Sequence, residues 1–288
     1  MERHTVCLCI KGWHFPPEFY RTLGHIPDVD VFVVSHKPME ETPAWLRTML
    51  PASQILVEPD CGYDWGAYQQ FIDKQFYRNY EYILFMHDDV VIKDRSFVQA
   101  SIHKLSDGYS VVGNGKESVL LSWADISEAY AHSTWQPPDA SFSHGEVRGS
   151  FFATTTAVLD KLGKFEVHWD RWLLNDDFAN WSLISSCGKL QHLFGDRCFG
   201  YLSDTQLDSP YMLEFVRGGH PWEDGDRSDP GHHSVPRKPL HIRVFLKIYQ
   251  KLCRRYARSL MQKQFLTARL LQPIVRLPNR RTVLAAGG

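Results

Sequence analysis

The 288-residue sequence contains no apolar run approaching the roughly 18 residues that a membrane span requires, so no bilayer-crossing segment is expected. Its six cysteines (Cys7, Cys9, Cys61, Cys187, Cys198 and Cys253) form no Cys-x-x-Cys pair. That argues against a zinc ribbon, a thioredoxin-type redox site or a disulfide framework, and leaves buried free thiols as the expectation. The opening Met1-Glu2-Arg3-His4 lacks the parts of a secretory signal, so a cytoplasmic location is expected. Neither a Gly-x-Ser-x-Gly elbow nor a His-Glu-x-x-His helix occurs, and hydrolysis of those kinds has no support. Acidic residues are missing from the last part of the chain. None of the 33 Asp and Glu lies beyond Asp229, whereas 13 of the 32 Lys and Arg fall between Arg237 and Arg281. The net charge of -1 therefore hides an acidic body and a basic tail, which are expected to meet different partners.

What is present is an alternation of short apolar runs with helical patterns. Strand-like segments at Thr5–Ile10, Asp30–Ser35, Gln54–Glu58 and Tyr82–His87 alternate with helical ones at Pro17–Leu23, Pro43–Met49 and Trp65–Tyr77. This is the signature of an α/β domain with a mostly parallel central sheet flanked by helices. A helix over Ser96–Ser106 and a short strand at Val111–Gly113 follow. Residues Gly115–Gly145, polar, aromatic and proline-containing, read as a loop or insertion of the kind that carries acceptor recognition. Regular structure is expected again at Ser150–Thr156 (strand), Ala157–Leu162 (helix) and Asn175–Ser186 (helix), the last with acids at its N-terminus. A Gly/Pro/His/Asp-rich stretch over Gly218–Pro239 reads as a linker. The chain thus divides into a catalytic domain over 1–235 and a basic helical extension over 236–288.

The sharpest local signal is an apolar strand that ends in acid, Tyr82-Ile-Leu-Phe-Met-His87-Asp88-Asp89. In α/β folds the C-terminal ends of strands face ligands. Two carboxylates delivered there repel one another unless a cation intervenes, and a hard divalent ion coordinates carboxylate and phosphate oxygens together. The plain alternative is a polar turn in which Asp88 or Asp89 caps the next element.

In this setting the sequence resembles the GT-A glycosyltransferases, especially the large family two, whose metal-binding Asp-x-Asp follows an apolar strand. Matching Phe85-Met86-His87-Asp88-Asp89-Val90 to that pattern puts His87 at the first acidic position and Asp89 at the second. The departure at His87 leaves three arrangements open: Asp88 substitutes, His87 is itself a ligand, or metal binding is weak. The segment Pro59-Asp60-Cys61-Gly62-Tyr63-Asp64-Trp65-Gly66-Ala67-Tyr68 is similar to the Asn-x-Gly-x-Asp-x-Gly-Ala-Tyr-like stretch of rhamnan-synthesis-type polysaccharide glycosyltransferases. There Gly62 permits a tight turn, and Asp64 either caps a helix or contacts a ribose or base. Arg148-Gly149-Ser150 through Gly163-Lys164-Phe165-Glu166 resembles the family's small-residue strand and following turn. Asn175-Asp176-Asp177-Phe178, with Cys187-Gly188 after it, resembles its Glu-Asp pair at a helix start with a Gly ending the helix.

The resemblance, spanning residues 4 to 205, implies an enzyme that moves a sugar from a nucleotide-diphosphate sugar to a glycan or lipid-linked acceptor, assisted by Mn2+ or Mg2+. It implies an inverting mechanism in which Asp177, with Asp176 in reserve, is the general base. Donor binding falls to Asp60, Gly62, Asp64, Lys11 and Asp88, and metal binding to Asp89 and His87, with His220 as a late ligand.

From Ile242 onward, apolar residues at 242, 245, 246, 249, 252, 253, 256 and 260 face one side of a helix and basic residues the other. This helix either docks on the catalytic domain or lies on an anionic membrane surface as a peripheral anchor. No nucleic-acid module is evident, and nucleic acid is not an expected partner. Two rival readings exist. A sugar nucleotidyltransferase would need a Gly-rich loop after the first strand, where this chain has Lys11-Gly12-Trp13-His14. A non-catalytic sugar-nucleotide-binding or membrane-associated assembly protein would be consistent with the departure at His87.

Overall fold

The computed structural model describes residues 6–59, 62–116, 123–138, 144–167, 178–205 and 208–214. In chain order these form β1 (Val6–Gly12), α1 (Pro17–Leu23), β2 (Val29–Ser35), α2 (Ala44–Met49), β3 (Ile55–Val57), α3 (Tyr63–Asp73) and β4 (Tyr82–His87). There follow β5 (Val91–Ile92), α4 (Phe97–Ser106), β6 (Val111–Gly115), α5 (Trp123–His132), β7 (Phe151–Thr155), α6 (Thr156–Leu162), α7 (Phe178–Phe194), β8 (Phe199–Ser203) and β9 (Met212–Leu213). Seven strands make one sheet in the order β3-β2-β1-β4-β7-β6-β8, and β5 pairs with β9 in a separate ribbon. Every pairing in the large sheet is parallel except those of β7, which runs antiparallel to both β4 and β6. This is the mostly parallel, helix-flanked α/β architecture that the sequence pattern predicts.

The strands read as continuous apolar runs because both faces of the sheet are covered. Alternate residues point to opposite faces. Cys7, Cys9, Phe32, Val34, Ile83 and Phe85 join one core with Trp65, Tyr68 and Phe71 of α3 and with Ile184 and Cys187 of α7. Val6, Leu8, Ile10, Val31, Val33, Leu84 and Met86 join the other, with Phe19 and Tyr20 of α1, Leu46 of α2 and Ile102 of α4. The described cysteines Cys7, Cys9, Cys187 and Cys198 are buried free thiols, as expected.

Several boundaries depart from the sequence reading. The helix after Gly62 stops at Asp73 rather than Tyr77, because Gln75 adopts a left-handed conformation (φ 60°) before a short 3-10 turn. The stretch read as a loop contains α5, whose Ala129 and Tyr130 are buried in the core shared with α7. Gly188 does not end α7, which continues to Phe194; the Tyr130 ring lies where a Cβ on Gly188 would project, so the glycine permits close helix packing. The strands β5, β8 and β9 are additions. The expected acids at the helix start (Asp176, Asp177), together with Asp60, His220, the linker and the basic tail, lie outside the described residues. Among the described residues no helix is long and apolar enough to cross a membrane.

Candidate active site

The chain runs β1, β2, β3 to one side and then returns to place β4 on the other side of β1, so the sheet order reverses between β1 and β4. Open α/β sheets bind ligands at such a point, outside the carboxyl ends of the strands. Lys11 and His87 are register partners at those ends. The start of β7 lies at the same edge, since Phe151 pairs with Met86 and the His87 N–H donates to the Ser150 carbonyl at 3.1 Å. The end of β6 lies there too, because Gly113 pairs with Phe152.

His87 lies between two carboxylates. Its Nδ1 is 3.3 Å from Asp89 Oδ1, and its Nε2 is 3.1 Å from Asp64 Oδ2. The second approach is a charge contact rather than an aligned hydrogen bond. Burial alone would lower the His87 pKa, but the charges of Asp64 and Asp89 override it and raise it to about 10. Burial likewise works to raise Asp64, yet His87 and then Lys11 bring its pKa down to about 2. Asp89 is also held well below the ordinary carboxylate range: its burial opposes this, and His87, Lys11 and His14 outweigh the burial. The three groups form one ion cluster with an imidazolium at its centre.

The fold builds that cluster with local devices. Gly62 caps α3 in a left-handed conformation (φ 82°), and the chain enters the helix so that Asp64 sits in its first turn. Gly149 lies directly against the Asp64 carboxylate, leaving no room there for a Cβ. Tyr68, one turn further along α3, donates its hydroxyl to the Gly149 carbonyl at 2.5 Å, and its ring lies 6.4 Å from that of His87. Lys11 is buried, with Nζ 5.8 Å from the centre of the Trp13 ring and 5.7 Å from that of Tyr63. Lys37 Nζ lies 4.9 Å from the Trp13 ring. A cationic and aromatic surface therefore borders the acids.

Asp88 is placed differently from its neighbour. It is buried, and its Oδ2 accepts the backbone N–H groups of Trp13, His14 and Phe15 at 2.9, 3.0 and 2.7 Å, with the Tyr20 hydroxyl at 3.4 Å. Burial raises its pKa, partly offset by those amides. The expectation that Asp88 contacts the donor is thus redirected: the carboxylate holds the turn after β1. Glu166, which closes the segment starting at Arg148, is also internal. Its Oε2 accepts from the Ser133 and Thr134 hydroxyls at 2.9 and 2.6 Å, and its Oε1 lies 3.1 Å from Lys189 Nζ.

Among the described residues no group of three or more His, Cys, Asp or Glu side chains is arranged to hold a metal ion. The donors divide in their fitness for one. Asp89 keeps a 29% exposed side chain with hard oxygen donors, which suits Mg2+ or Mn2+ completed by phosphate and water. His87 does not fit as a ligand, because each ring nitrogen already faces a carboxylate.

Three residues that sequence reasoning did not single out belong to this edge. Arg148 Nε lies 3.9 Å from Glu214 Oε2, and Asn114 Nδ2 donates to Glu214 Oε1 at 3.2 Å. A glycine between a polar residue and an apolar strand, as in Arg148-Gly149-Ser150, was a usable signal. For Glu214, a lone acid after a two-residue strand, there was none.

No family model and no curated protein matches the sequence. Among solved structures, residues 1–349 of S. aureus TarS with UDP-GlcNAc match at 14% identity and a TM-score of 0.45, covering 75% of this chain and 60% of that one. The mannosyltransferase PcManGT from Pyrobaculum calidifontis, with GDP-Man and Mn2+, matches at 15% identity and a TM-score of 0.44, covering 94% of this chain and 68% of that one. The chain spans 37% of a longer TarS structure, at 13% identity and a TM-score of 0.42. The sheet itself has the mostly parallel α/β architecture that the sequence led us to expect.

Proposed function

We propose that this protein is a glycosyltransferase that moves a sugar from a nucleotide-diphosphate sugar to a glycan or lipid-linked acceptor. The observation that carries the reading is the convergence of buried Lys11 and the Asp64–His87–Asp89 cluster at the β1/β4 switch point, where an α/β sheet takes its ligand. Lys11 supplies fixed positive charge for phosphate, and the partly exposed Tyr63 ring beside it offers flat apolar surface to a base. Asp89 holds the divalent ion, and Asp64 meets the donor from the first turn of α3. When bound, the ion neutralises charge on the departing diphosphate. His87 keeps Asp64 and Asp89 apart and ionised, and Asp88 fixes the β1–α1 turn against which the donor lies. His220 remains a proposed late ligand.

In this reading Asp177 accepts the proton of the acceptor hydroxyl, with Asp176 in reserve, and the configuration at the transferred sugar inverts. Asp177→Asn is expected to leave donor affinity near wild type and to slow transfer by roughly 100-fold or more. Calorimetry with a panel of nucleotide sugars and Mn2+, followed by single-turnover transfer assays with the donor so found, tests both statements. Near wild-type transfer by Asp176→Asn and Asp177→Asn alike would remove the pair from catalysis, and tight donor binding without turnover would favour a binding protein over an enzyme. The basic segment after residue 240 is assigned to an anionic membrane surface. Salt-sensitive flotation with anionic vesicles, lost on truncation at Leu240, is the expected result.

A further inference from the structure

We propose that Arg148 binds the negative charge of the diphosphate at this edge, and that buried Glu214 is the positioning residue that aims it. The inference rests on the nucleotide-diphosphate reading above and adds a residue to it.

The starting point is a chain of hydrogen bonds. Backbone N–H groups of Tyr211 and Met212 donate to Ser209 Oγ at 3.2 and 3.1 Å, and that hydroxyl donates to Asn114 Oδ1 at 2.6 Å. Asn114 Nδ2 donates to Glu214 Oε1 at 3.2 Å, while the Ser209 hydroxyl also faces the Met212 carbonyl at 3.1 Å. The other carboxylate oxygen, Oε2, faces Arg148 Nε at 3.9 Å. Ser209, Asn114 and Glu214 are all buried, whereas the Arg148 side chain is 34% exposed. The Arg148 guanidinium is thus partly exposed beside the buried carboxylate. Burial raises the Glu214 pKa, opposed by the facing Arg148 charge and the Asn114 amide, so carboxylate and guanidinium favour one another's placement.

Location gives the arrangement its use. Arg148 precedes Gly149, which packs on Asp64, and lies two residues from Ser150, whose carbonyl accepts the His87 N–H. It therefore lies in the segment that leads into β7, the strand adjacent to β4. A diphosphate brought to Asp64 and Asp89 meets two carboxylates of its own sign, with His87 lying between them. In addition to Lys11, a guanidinium in the segment entering β7, with a planar fork suited to phosphate oxygens, adds positive charge.

The test is calorimetry on the full chain with Mn2+, titrating UDP, GDP and inorganic pyrophosphate as probes. Arg148→Gln is expected to weaken the diphosphates that bind wild type by about tenfold or more, and Arg148→Lys by several-fold, because charge survives but the fork does not. Glu214→Gln should weaken binding several-fold in the wild-type background and add little on top of Arg148→Gln, a coupling that a merely structural glutamate would not show. If Arg148→Gln fails to fold, the Lys variant and the Glu214→Gln comparison in that Lys background decide the matter. Wild-type affinity in Arg148→Gln or Arg148→Lys, with metal-dependent binding still lost in Asp89→Asn, overturns the role of Arg148 and leaves the functional reading intact. A wild-type protein that binds none of the three probes overturns both.

Discussion

Asp88 and Asp89 leave the same strand side by side and serve opposite ends. Asp88 turns under the β1–α1 loop and spends one oxygen on three backbone amides, while Asp89 stays at the open edge with a 29% exposed side chain and shares His87 with Asp64. Both lie in the turn after β4, where the amides of the β1–α1 turn draw Asp88 inward and Asp89 stays at the edge. The inward acid is the structural partner of the outward one, because it fixes the turn bordering the same edge.

The comparison can be broken most readily by stability measurements. Asp88→Ala leaves three backbone N–H groups without their acceptor and is expected to cost about 3 kcal/mol or more, read from urea unfolding. Asp89→Ala should cost distinctly less. An Asp89→Ala protein less stable than Asp88→Ala would reverse the assignment of inward and outward acids.

Much of this contrast was readable in the sequence, and some was not. The apolar run Tyr82–His87 ending in two acids located the edge, and α1 and β4 occupy the residue ranges the periodicity indicated. Gly62 and Asp64 were picked out on their turn and helix-start chemistry, and both form the entry to α3. Which carboxylate faced inward was not readable, because it depends on the amides of Trp13, His14 and Phe15, more than 70 residues away in the chain. The role of His87 was hidden because it depends on Asp64, which α3 brings to the ring from the opposite side to its near neighbour Asp89. α5 escaped because its residues around Tyr130 bury themselves only against α7.

The ion cluster makes a smaller, pH-dependent contribution. A His87 pKa raised from 6.5 to about 10 means stabilisation fully present below about pH 6.5 and lost as pH rises through about 10. An Asp64 pKa lowered from 3.8 to about 2 means stabilisation present above about pH 3.8 and lost as pH falls through about 2. The stability difference between wild type and His87→Gln, about 2 kcal/mol for breaking a largely buried cluster, should therefore be greatest near pH 5 to 6. It should shrink toward pH 10, and urea midpoints measured across that range check it. A difference that grows with pH would contradict an imidazolium at the centre.

Gly149→Ala sharpens the picture with an expected cost of about 2 kcal/mol, comparable to that of His87→Gln, since the added methyl displaces Asp64 from the cluster. Its signature is selective. The wild-type and Gly149→Ala proteins should differ in the pKa of His87, followed by NMR, with the value falling in the variant as the Asp64 charge moves away. An unchanged His87 titration would show that Asp64 does not depend on the glycine for its place.

The central claim is that the edge at β1 and β4 binds a nucleoside diphosphate with a divalent ion held by Asp89. The direct measurement is nucleoside diphosphate affinity with and without Mn2+ for wild type and Asp89→Asn. The account predicts that Mn2+ tightens binding to wild type by about tenfold or more and that Asp89→Asn loses most of this gain, as expected when a charged ligand to a phosphate-bridging ion is removed. Equal Mn2+-dependent affinity in the two proteins would contradict it.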